Sequence, residues 1–405
     1  MDRCILHCDC NSFYASVECV YRPELWNVPM AVCGDPANRH GIVLAKNEAA
    51  KKFGIVTAET VWQAKKKCPE LVLVPPHFER YDEFYHRINA MYCEYTDRVE
   101  PFSIDESWLD VTGSRRLFGD GKTIADALRR RVREELGITI SVGVSFNKTL
   151  AKLGSDYKKP DATTVLSQQT YRELLYPLPV SRFLFVGRSA EATLNKMGIR
   201  TIGELATADR ACLVAALGKA GGQFYDGANG IDPSPVRLFG DRPDAKSVGN
   251  GMTFRGDLET EDELNRGLLY LIEPVAARLR RAGQLCNAIQ LTIKYPSLKT
   301  ITRQRALGRA TNLVSELYRE AVVLLCECWQ AGTPVRSMTV TACRLEKDEE
   351  GEQLCLFDAE EEHDRERLGK LESVVDTLRE RYGTDSVKRC AVLGGAPDTS
   401  DSLKK

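Results

Sequence analysis

The strongest constraint on this chain is a set of three carboxylates at two places in the sequence. Asp9 follows an N-terminal apolar run, Ile5–Cys8, that is typical of a buried strand. The adjacent Asp105 and Glu106 lie between two further strand-like runs, which predicts the tip of a hairpin. Neighbouring side chains of a regular strand point to opposite faces, whereas at a hairpin tip both can reach one site. Converging carboxylates repel one another unless a cation neutralises them, and Mg²⁺, which takes oxygen ligands, is the natural candidate.

Several separate motifs give these carboxylates a context, although a single acid in a turn commonly does no more than cap it. The motifs are DCNSFYASVE at 9–18, SIDE at 103–106, SFNKTLAK at 145–152 and KKP at 158–160. In order and spacing they resemble the Y-family of translesion DNA polymerases. The resemblance covers about residues 1–345 and is strongest in the first 160. It is closest to the bacterial polymerase IV branch, with features of the polymerase V catalytic subunit.

The resemblance implies an α/β (α+β) multidomain fold with a polymerase palm, small fingers, a helical thumb and a little-finger domain. The alternation of strand and helix patterns over 1–165, and a β-α-β-β-α-β pattern over 246–345, agree with this expectation. The expected boundaries are 1–10 and 76–166 for the palm, 11–75 for the fingers, 167–235 for a helix-hairpin-helix-like thumb, 236–245 for a Pro- and Gly-rich linker, 246–345 for the little finger and 346–405 for an acidic tail with a clamp-binding peptide and a C-terminal helix.

The resemblance also implies a role for each acid. Asp9 and Asp105 would bind two Mg²⁺ ions, and Glu106 would complete the ion that activates the primer 3′-hydroxyl. The carbonyl of Cys10 would bind the ion on the triphosphate side. The implied activity is template-directed, low-fidelity DNA synthesis past damaged bases, by two-metal nucleotidyl transfer. Asn11 stands where many polymerase IV proteins carry an acid, so it is not expected to bind metal.

Nucleotide contacts are also implied by the resemblance. Tyr14 aligns with the steric gate, an aromatic ring that excludes a ribose 2′-hydroxyl by clash, with a plain core aromatic as the alternative. The backbone N–H groups of Phe13 and Tyr14 and the side chains of Lys51 and Lys159 are the predicted triphosphate contacts. Many family members carry Tyr and Arg where this chain has Glu48 and Lys51. Lys keeps the charge of Arg without its bidentate fork, and Glu48 is expected to turn away from phosphate.

The charge distribution suits a polyanion partner, since residues 1–345 carry 46 bases and 40 acids while residues 346–405 carry 10 bases and 17 acids. Gly187 is one predicted DNA contact, because a glycine turn lets backbone N–H groups approach a phosphate. Ser189 stands where the helix-hairpin-helix motif of the family usually has its second glycine. The other predicted contacts are basic residues of the little-finger hairpin: Lys294, Lys299, Arg303 and Arg305, of which the last two share a face. A solvated basic face is the alternative.

The acidic tail contains a short apolar peptide, QLCLFD at 353–358. In a bacterial Y-family polymerase such a peptide is expected to dock in the hydrophobic groove of the sliding clamp, through Gln353, Leu354, Leu356 and Phe357. Packing of the peptide on the following predicted helix, about 364–382, is the alternative.

The resemblance implies that the partners are primer-template DNA, deoxynucleoside triphosphates and the sliding clamp. We expect a cytoplasmic monomer with no membrane partner. The fourteen cysteines are scattered as free thiols would be, and the sequence has no signal-peptide layout and no membrane-spanning run. One alternative function is a catalytically silent, clamp-tethered scaffold, which the three intact carboxylates argue against. Another is a nucleotidyl cyclase with a palm-like sheet, which would lack the thumb and the little finger.

Overall fold

In a computed structural model of the chain, the apolar run before Asp9 forms a fully buried strand, β1 (Ile5–Cys10). The structure describes residues 3–34, 41–241, 243–348 and 359–390, with side chains of the last range from residue 363 onward. These residues fall into two units, one before and one after residue 242, and each is described by itself.

The first unit alternates helices and strands up to residue 165 and is helical after it. Its further elements are α1 (Phe13–Tyr21), β2 (Met30–Cys33), β3 (Val43–Lys46), α2 (Glu48–Lys51), α3 (Val61–Lys67), β4 (Val72–Val74), α4 (Phe78–Cys93), β5 (Val99–Pro101), β6 (Glu106–Asp110), α5 (Arg115–Phe118), α6 (Gly121–Leu136), β7 (Ile140–Ser145), α7 (Lys148–Tyr157), β8 (Thr163–Val165), α8 (Tyr171–Leu175), α9 (Arg188–Lys196), α10 (Ile202–Thr207), α11 (Arg210–Leu217) and α12 (Lys219–Ala228), with 3₁₀ turns at Pro23–Leu25 and Val180–Arg182. Local signals set several of these ends. Asn147 accepts a hydrogen bond from the N–H of Leu150 and caps α7, and Gly137 ends α6 with a φ of 73°.

A five-stranded sheet with the order β5-β6-β1-β7-β8 is the framework of the first unit, and β1 runs antiparallel to both of its neighbours. One face packs on α4 and α6, where Leu6 and Cys8 of β1 join the largest core cluster of the unit. The other face carries Ile5, which packs with Trp108 and with Ala151 of α7. Because side chains alternate along a strand, His7 and Asp9 lie on this α7 side of β1.

A second, three-stranded sheet with the order β3-β2-β4 lies within residues 30–74. Strand β2 pairs antiparallel with β3 and parallel with β4. Its core is made of small and apolar side chains, among them Ala31, Val43, Ala50 and Leu71. A capping box between Thr60 and Gln63 starts α3 beside it.

The first part of the predicted linker packs on the first unit. Val236 is fully buried beside Ile5 and Trp108. The next residue, Arg237, donates its backbone N–H to the carboxylate of Glu100 at 3.0 Å and places its guanidinium 2.8 Å from the same side chain. An apolar side chain and a buried carboxylate thus fix the first residues of the segment that was predicted to be a linker.

The second unit has the predicted β-α-β-β-α-β order. Its elements are β9 (Ser247–Leu258), α13 (Glu261–Arg281), β10 (Gln284–Lys294), β11 (Thr300–Thr311), α14 (Val314–Cys328) and β12 (Val335–Lys347). The four strands form an antiparallel sheet with the order β11-β10-β12-β9. Alternate residues of β10, Ile289, Leu291 and Ile293, are buried in one core with the apolar faces of α13 and α14.

The tail helix α15 (Ala359–Tyr382) attaches to the second unit through charged side chains. Glu372, which is 4% exposed, lies 2.6 Å from Arg280 of α13 and accepts the N–H of Val314, at the start of α14, which has no side-chain cap of its own. Asp376 also contacts Arg280, at 2.7 Å. Five large apolar residues of α15 are exposed: Leu368, Leu371, Val374, Leu378 and Tyr382. No helix of the described residues, α15 included, is long and apolar enough to cross a membrane.

Close packing of α7 on the sheet depends on Gly143 of β7. A Cβ at this position would lie 1.9 Å from the carbonyl oxygen of Ala151 and 2.4 Å from the backbone nitrogen of Ser155. Only a residue without a side chain therefore lets the helix approach this closely.

We expect Gly143→Ala to lower the free energy of unfolding by about 1–3 kcal/mol, the usual range for overpacking a core. Denaturant unfolding of the full-length protein measures this change. Gly113→Ala is the matched control, because a Cβ at Gly113 would meet nothing within 4 Å. Equal stability of the two variants would contradict the packing argument.

Candidate active site

The register of the central strands brings the three carboxylates together. Asp9 of β1 lies directly opposite Glu106, the first residue of β6. The preceding residue, Asp105, lies outside the strand, and its carbonyl oxygen accepts the N–H of Cys10 at 3.0 Å. Because β6 begins only at Glu106, the neighbouring acids do not follow strand alternation.

All eight residues predicted to bind metal or nucleotide line one open cleft of about 440 Å³. They are Asp9, Cys10, Phe13, Tyr14, Lys51, Asp105, Glu106 and Lys159. Asn11, Lys46, Thr57 and Asp156 are among the other residues of its wall. The cleft therefore combines the acids of the sheet with cations from α2 and from the loop after α7.

Lys152 of α7 neutralises two of the acids, a role that the sequence did not reveal. Its ammonium lies 3.0 Å from Oδ2 of Asp9, 2.9 Å from Oε1 of Glu106 and 3.1 Å from Oδ2 of Asp156. Burial opposes a charge here, but the attraction of Asp9, Asp156 and Glu106 outweighs it and raises the pKa of Lys152. The spacing of four residues between Lys152 and Asp156 places both on one face of α7, but such spacing does not reveal a contact with β1.

Lys159 approaches the same acid from the loop after α7. Its ammonium lies 2.7 Å from Oδ2 of Asp9 and 2.8 Å from Oδ1 of Asp156. Burial again lowers the pKa, and the two carboxylates raise it by more, so the pKa of Lys159 lies above its usual value. Its contact with a triphosphate stays a prediction.

His7 lies beneath the acids without adding a charge. It is fully buried, its Nδ1 forms a hydrogen bond of 2.8 Å with the hydroxyl of Ser155, and its Nε2 lies 3.6 Å from Oε2 of Glu106. Burial above all, together with the nearby charge of Lys152, lowers the pKa of His7 to about 3. The ring is therefore neutral near pH 7, and the positive charge at this position comes from lysine. The sequence signal that could have identified His7 is its position two residues before Asp9, which places both side chains on the same side of β1.

Asp105 has no ammonium partner in the cleft. Its carboxylate accepts the hydroxyl of Ser103 at 2.6 Å. Burial chiefly raises the pKa of Asp105, the hydrogen bond from Ser103 lowers it, and the charges of Asp9 and Glu106 raise it further. Asp105 is therefore held by a hydroxyl group rather than by an ion pair.

The donor chemistry of the cleft fits a hard divalent ion, although the described residues contain no three His, Cys, Asp or Glu side chains already gathered as metal ligands. The contacts give the reason. The carboxylate oxygens of Asp9 and Glu106 form ion pairs with ammonium groups, and the carboxylate of Asp105 accepts a hydrogen bond from Ser103. Carboxylate and carbonyl oxygens are the ligands that Mg²⁺ prefers.

Tyr14 is fixed by aromatic stacking. Its ring lies 4.1 Å from the ring of Tyr81 at an angle of 12°, and Phe78 meets it edge-on at 6.1 Å. The hydroxyl of Tyr81 donates to the fully buried carboxylate of Glu18 at 2.6 Å. One ring in the cleft wall is thereby held by a second ring that is itself anchored.

Lys51 and Glu48 form an exposed ion pair across one turn of α2, with 2.5 Å between Nζ and Oε1. The hydroxyl of Ser12 donates to the same carboxylate oxygen at 3.3 Å. Lys51 lines the cleft, whereas Glu48 is not part of its wall.

The predicted DNA contacts lie apart from this cleft in sequence. Gly187 is the N-cap of α9. In the second unit, Arg303 lies opposite Leu291 and Arg305 lies opposite Ile289 in the strand pairing, so both arginines lie on the helix side of the sheet. There Arg305 contacts two carboxylates of α14, Glu320 at 3.1 Å and Glu327 at 3.0 Å. Lys294 lies on the opposite face and Lys299 between the strands. Their contact with DNA stays a prediction.

The clamp-binding residues Gln353, Leu354, Leu356 and Phe357 lie outside the described residues.

Comparisons with known proteins agree on one family. Residues 8–156 match the impB/mucB/samB family, and residues 245–356 match the C-terminal domain of the same family. DNA polymerase IV of Acetivibrio thermocellus is 45% identical over 393 residues, covering 97% of this chain and 98% of that protein. DNA polymerase IV 1 of Bacillus subtilis is 37% identical, with 96% and 93% covered. Among solved structures, a Y-family DNA polymerase chimera superposes with a TM-score of 0.73 at 23% identity, over 84% of this chain and 98% of the chimera, so the multidomain polymerase fold is shared.

Proposed function

The chain belongs to the impB/mucB/samB family of Y-family DNA polymerases, and we propose that its carboxylate-lined cleft is the site of nucleotidyl transfer. As a DNA polymerase IV-like member it performs template-directed translesion DNA synthesis, so its substrates are DNA and nucleotides. Family membership also implies dependence on a divalent metal ion. The observation that supports the site is the convergence of Asp9, Asp105 and Glu106 in one cleft with Tyr14 and Lys159.

We further propose the domain assignment of such a polymerase. Residues 1–10 and 76–166, which contain the five-stranded sheet, would form the palm, and residues 11–75 the fingers. Residues 167–235 would form the thumb and residues 246–345 the little finger. A monomeric state and a cytoplasmic location stay predictions.

Within the site, the acids and the cations have separate tasks. Asp9, Asp105, Glu106 and the carbonyl of Cys10 would bind two Mg²⁺ ions, which when bound supply charge compensation for the attacking and leaving oxygens. The N–H groups at the start of α1 would bind the triphosphate together with Lys51 and Lys159. Lys152 lies beneath the acids and limits the mutual repulsion of Asp9 and Glu106.

Removal of either hairpin acid should abolish synthesis while leaving the fold intact. We expect Asp105→Asn and Glu106→Gln to lower the rate of primer extension with Mg²⁺ by at least about 100-fold, since even groups that only support a metal ligand contribute 10- to 100-fold. Glu94→Gln, an exposed acid paired with Arg131, is the control and should extend primers at the parental rate. Parental rates for both hairpin variants would exclude this site.

Tyr14 is proposed to be the steric gate. Tyr14→Ala should lower the preference for deoxyribonucleotides over ribonucleotides at least about tenfold, equivalent to 1.4 kcal/mol, because the clash with the 2′-hydroxyl is lost. Single-nucleotide incorporation kinetics with both sugars give the ratio. Tyr14→Phe retains the ring and should keep the parental selectivity. A ratio unchanged in Tyr14→Ala would show that the ring is only part of the core.

Clamp binding is proposed for the tail peptide on its sequence alone. Leu356→Ala with Phe357→Ala should remove stimulation of synthesis by a bacterial sliding clamp and leave unstimulated extension unchanged. These substitutions are sharper than truncation before residue 353, which would also remove Glu372 from Arg280 and from the start of α14. Leu371→Ala, on the exposed side of α15, is the control. Full stimulation of the double variant would contradict the assignment.

A further inference from the structure

The loop after α7, residues 158–161, carries Lys159 into the cleft but belongs to no helix or strand. At its end, Asp161 has a φ of 49°, a left-handed conformation that few residues with a side chain adopt, Asp and Asn more often than most. The contacts that fix Asp161, two residues after Lys159, therefore bear on the position of the Lys159 ammonium.

Asn11 provides one of these contacts from the end of β1. Its Oδ1 accepts the backbone N–H of Asp161 at 2.9 Å and the hydroxyl of Thr139 at 3.0 Å. Its Nδ2 donates to the hydroxyl of Ser141 at 2.9 Å. Asn11 is 5% exposed, so these bonds form away from solvent and orient both ends of the amide.

Helix α6 fixes Asp161 from the other side. Arg129 donates to the Asp161 carboxylate from Nε at 3.1 Å and from Nη2 at 2.9 Å, and it also contacts the Asp161 carbonyl oxygen. Arg133 reaches the second carboxylate oxygen at 2.7 Å. A planar guanidinium that grips a carboxylate through two N–H groups restricts both distance and angle.

We propose that Asn11 and Arg129 are positioning residues that set the place of the Lys159 ammonium for the triphosphate of the incoming nucleotide. The proposal rests on the triphosphate contact of Lys159 given under the proposed function. Asn11 and Arg129 would position the lysine rather than bind the nucleotide. They act through Asp161, two positions after the lysine.

The amide at position 11 suits this task. It offers an acceptor to Asp161 and a donor to Ser141, while adding no charge beside Asp9, which already has Asp105 and Glu106 nearby. An acid at the same position would keep the acceptor for the Asp161 N–H but would add a further negative charge.

A double-mutant cycle with Lys159 tests the proposal in single-nucleotide incorporation by the full-length protein. Asn11→Leu should raise the KM for the nucleotide about tenfold, since it leaves the Asp161 N–H without its partner, and should change kcat less. In a Lys159→Ala background the same substitution should raise the KM less than twofold, because the group that it positions is gone. Asn11→Asp keeps the acceptor and should restore a KM within about threefold of the parent.

A second readout does not depend on catalysis. Hydrogen exchange of the free protein should be at least about tenfold faster in the segment 158–162 of Asn11→Leu than in the parent, because its anchoring bond is lost. Asn229→Leu is the matched control, since the Asn229 amide bonds to Ala206 and Tyr225, outside the cleft. It should leave both the KM and the exchange of this segment unchanged. Arg129→Met replaces Asn11→Leu if the latter does not fold, with the same expectations.

The outcomes distinguish the positioning role of Asn11 from the triphosphate contact of Lys159. Unchanged hydrogen exchange in segment 158–162 would overturn the positioning role. So would a Lys159→Ala variant whose raised KM simply adds to the effect of Asn11→Leu. A Lys159→Ala variant with the parental KM would instead overturn the triphosphate contact of the proposed function, and with it the nucleotide part of the present proposal. Faster exchange together with a non-additive rise in KM would support both.

Discussion

The ammonium of Lys152 between Asp9 and Glu106 is the interaction on which the site depends. Two carboxylates that face each other across adjacent strands on a covered face of a sheet repel each other, and a nearby cation offsets that repulsion. His7 cannot provide it, because burial and the lysine itself keep the imidazole neutral. The helix that carries Lys152 reaches the acids only because Gly143 allows it to lie against β7. Charge compensation at the cleft therefore begins with a packing constraint inside the sheet.

Much of this arrangement could be predicted from local sequence patterns. Strand and helix patterns predicted the alternation of elements over residues 1–165, the β-α-β-β-α-β order of the second unit and, in outline, the hairpin around Asp105 and Glu106. The convergence of Asp9 with that hairpin followed from the family motifs rather than from the residues themselves. Strand pairing joins positions about a hundred residues apart, and no local rule states which strands become neighbours.

The contacts that were missed are those that depend on which side of an element faces its neighbour. A period of two predicted that Arg303 and Arg305 share a face, but only the pairing with Leu291 and Ile289 shows that this is the helix side. The same limit applies to α15, whose charged side attaches to the second unit while Leu371 and other apolar residues stay exposed. An apolar stripe normally predicts the buried side of a helix. Buried partners for Glu372 outweighed that rule here.

Three lysines in or beneath the cleft, Lys51, Lys152 and Lys159, differ in how strongly each is bound to its carboxylate partners. Lys152 is 10% exposed in its side chain and touches three acids, so separating it would leave buried charges unpaired at a large cost. The side chains of Lys51 and Lys159 are 39% and 35% exposed. Ion pairs that solvent reaches are worth less than buried ones, and Asp9 keeps Lys152 as a partner, so an exchange of carboxylate for phosphate would cost these two lysines little. The gradient of burial thus separates a structural counter-ion from the two lysines for which triphosphate contacts are proposed. For Lys159 the proposed contact also needs a fixed position, which the bonds of Asn11 and Arg129 to Asp161 would supply.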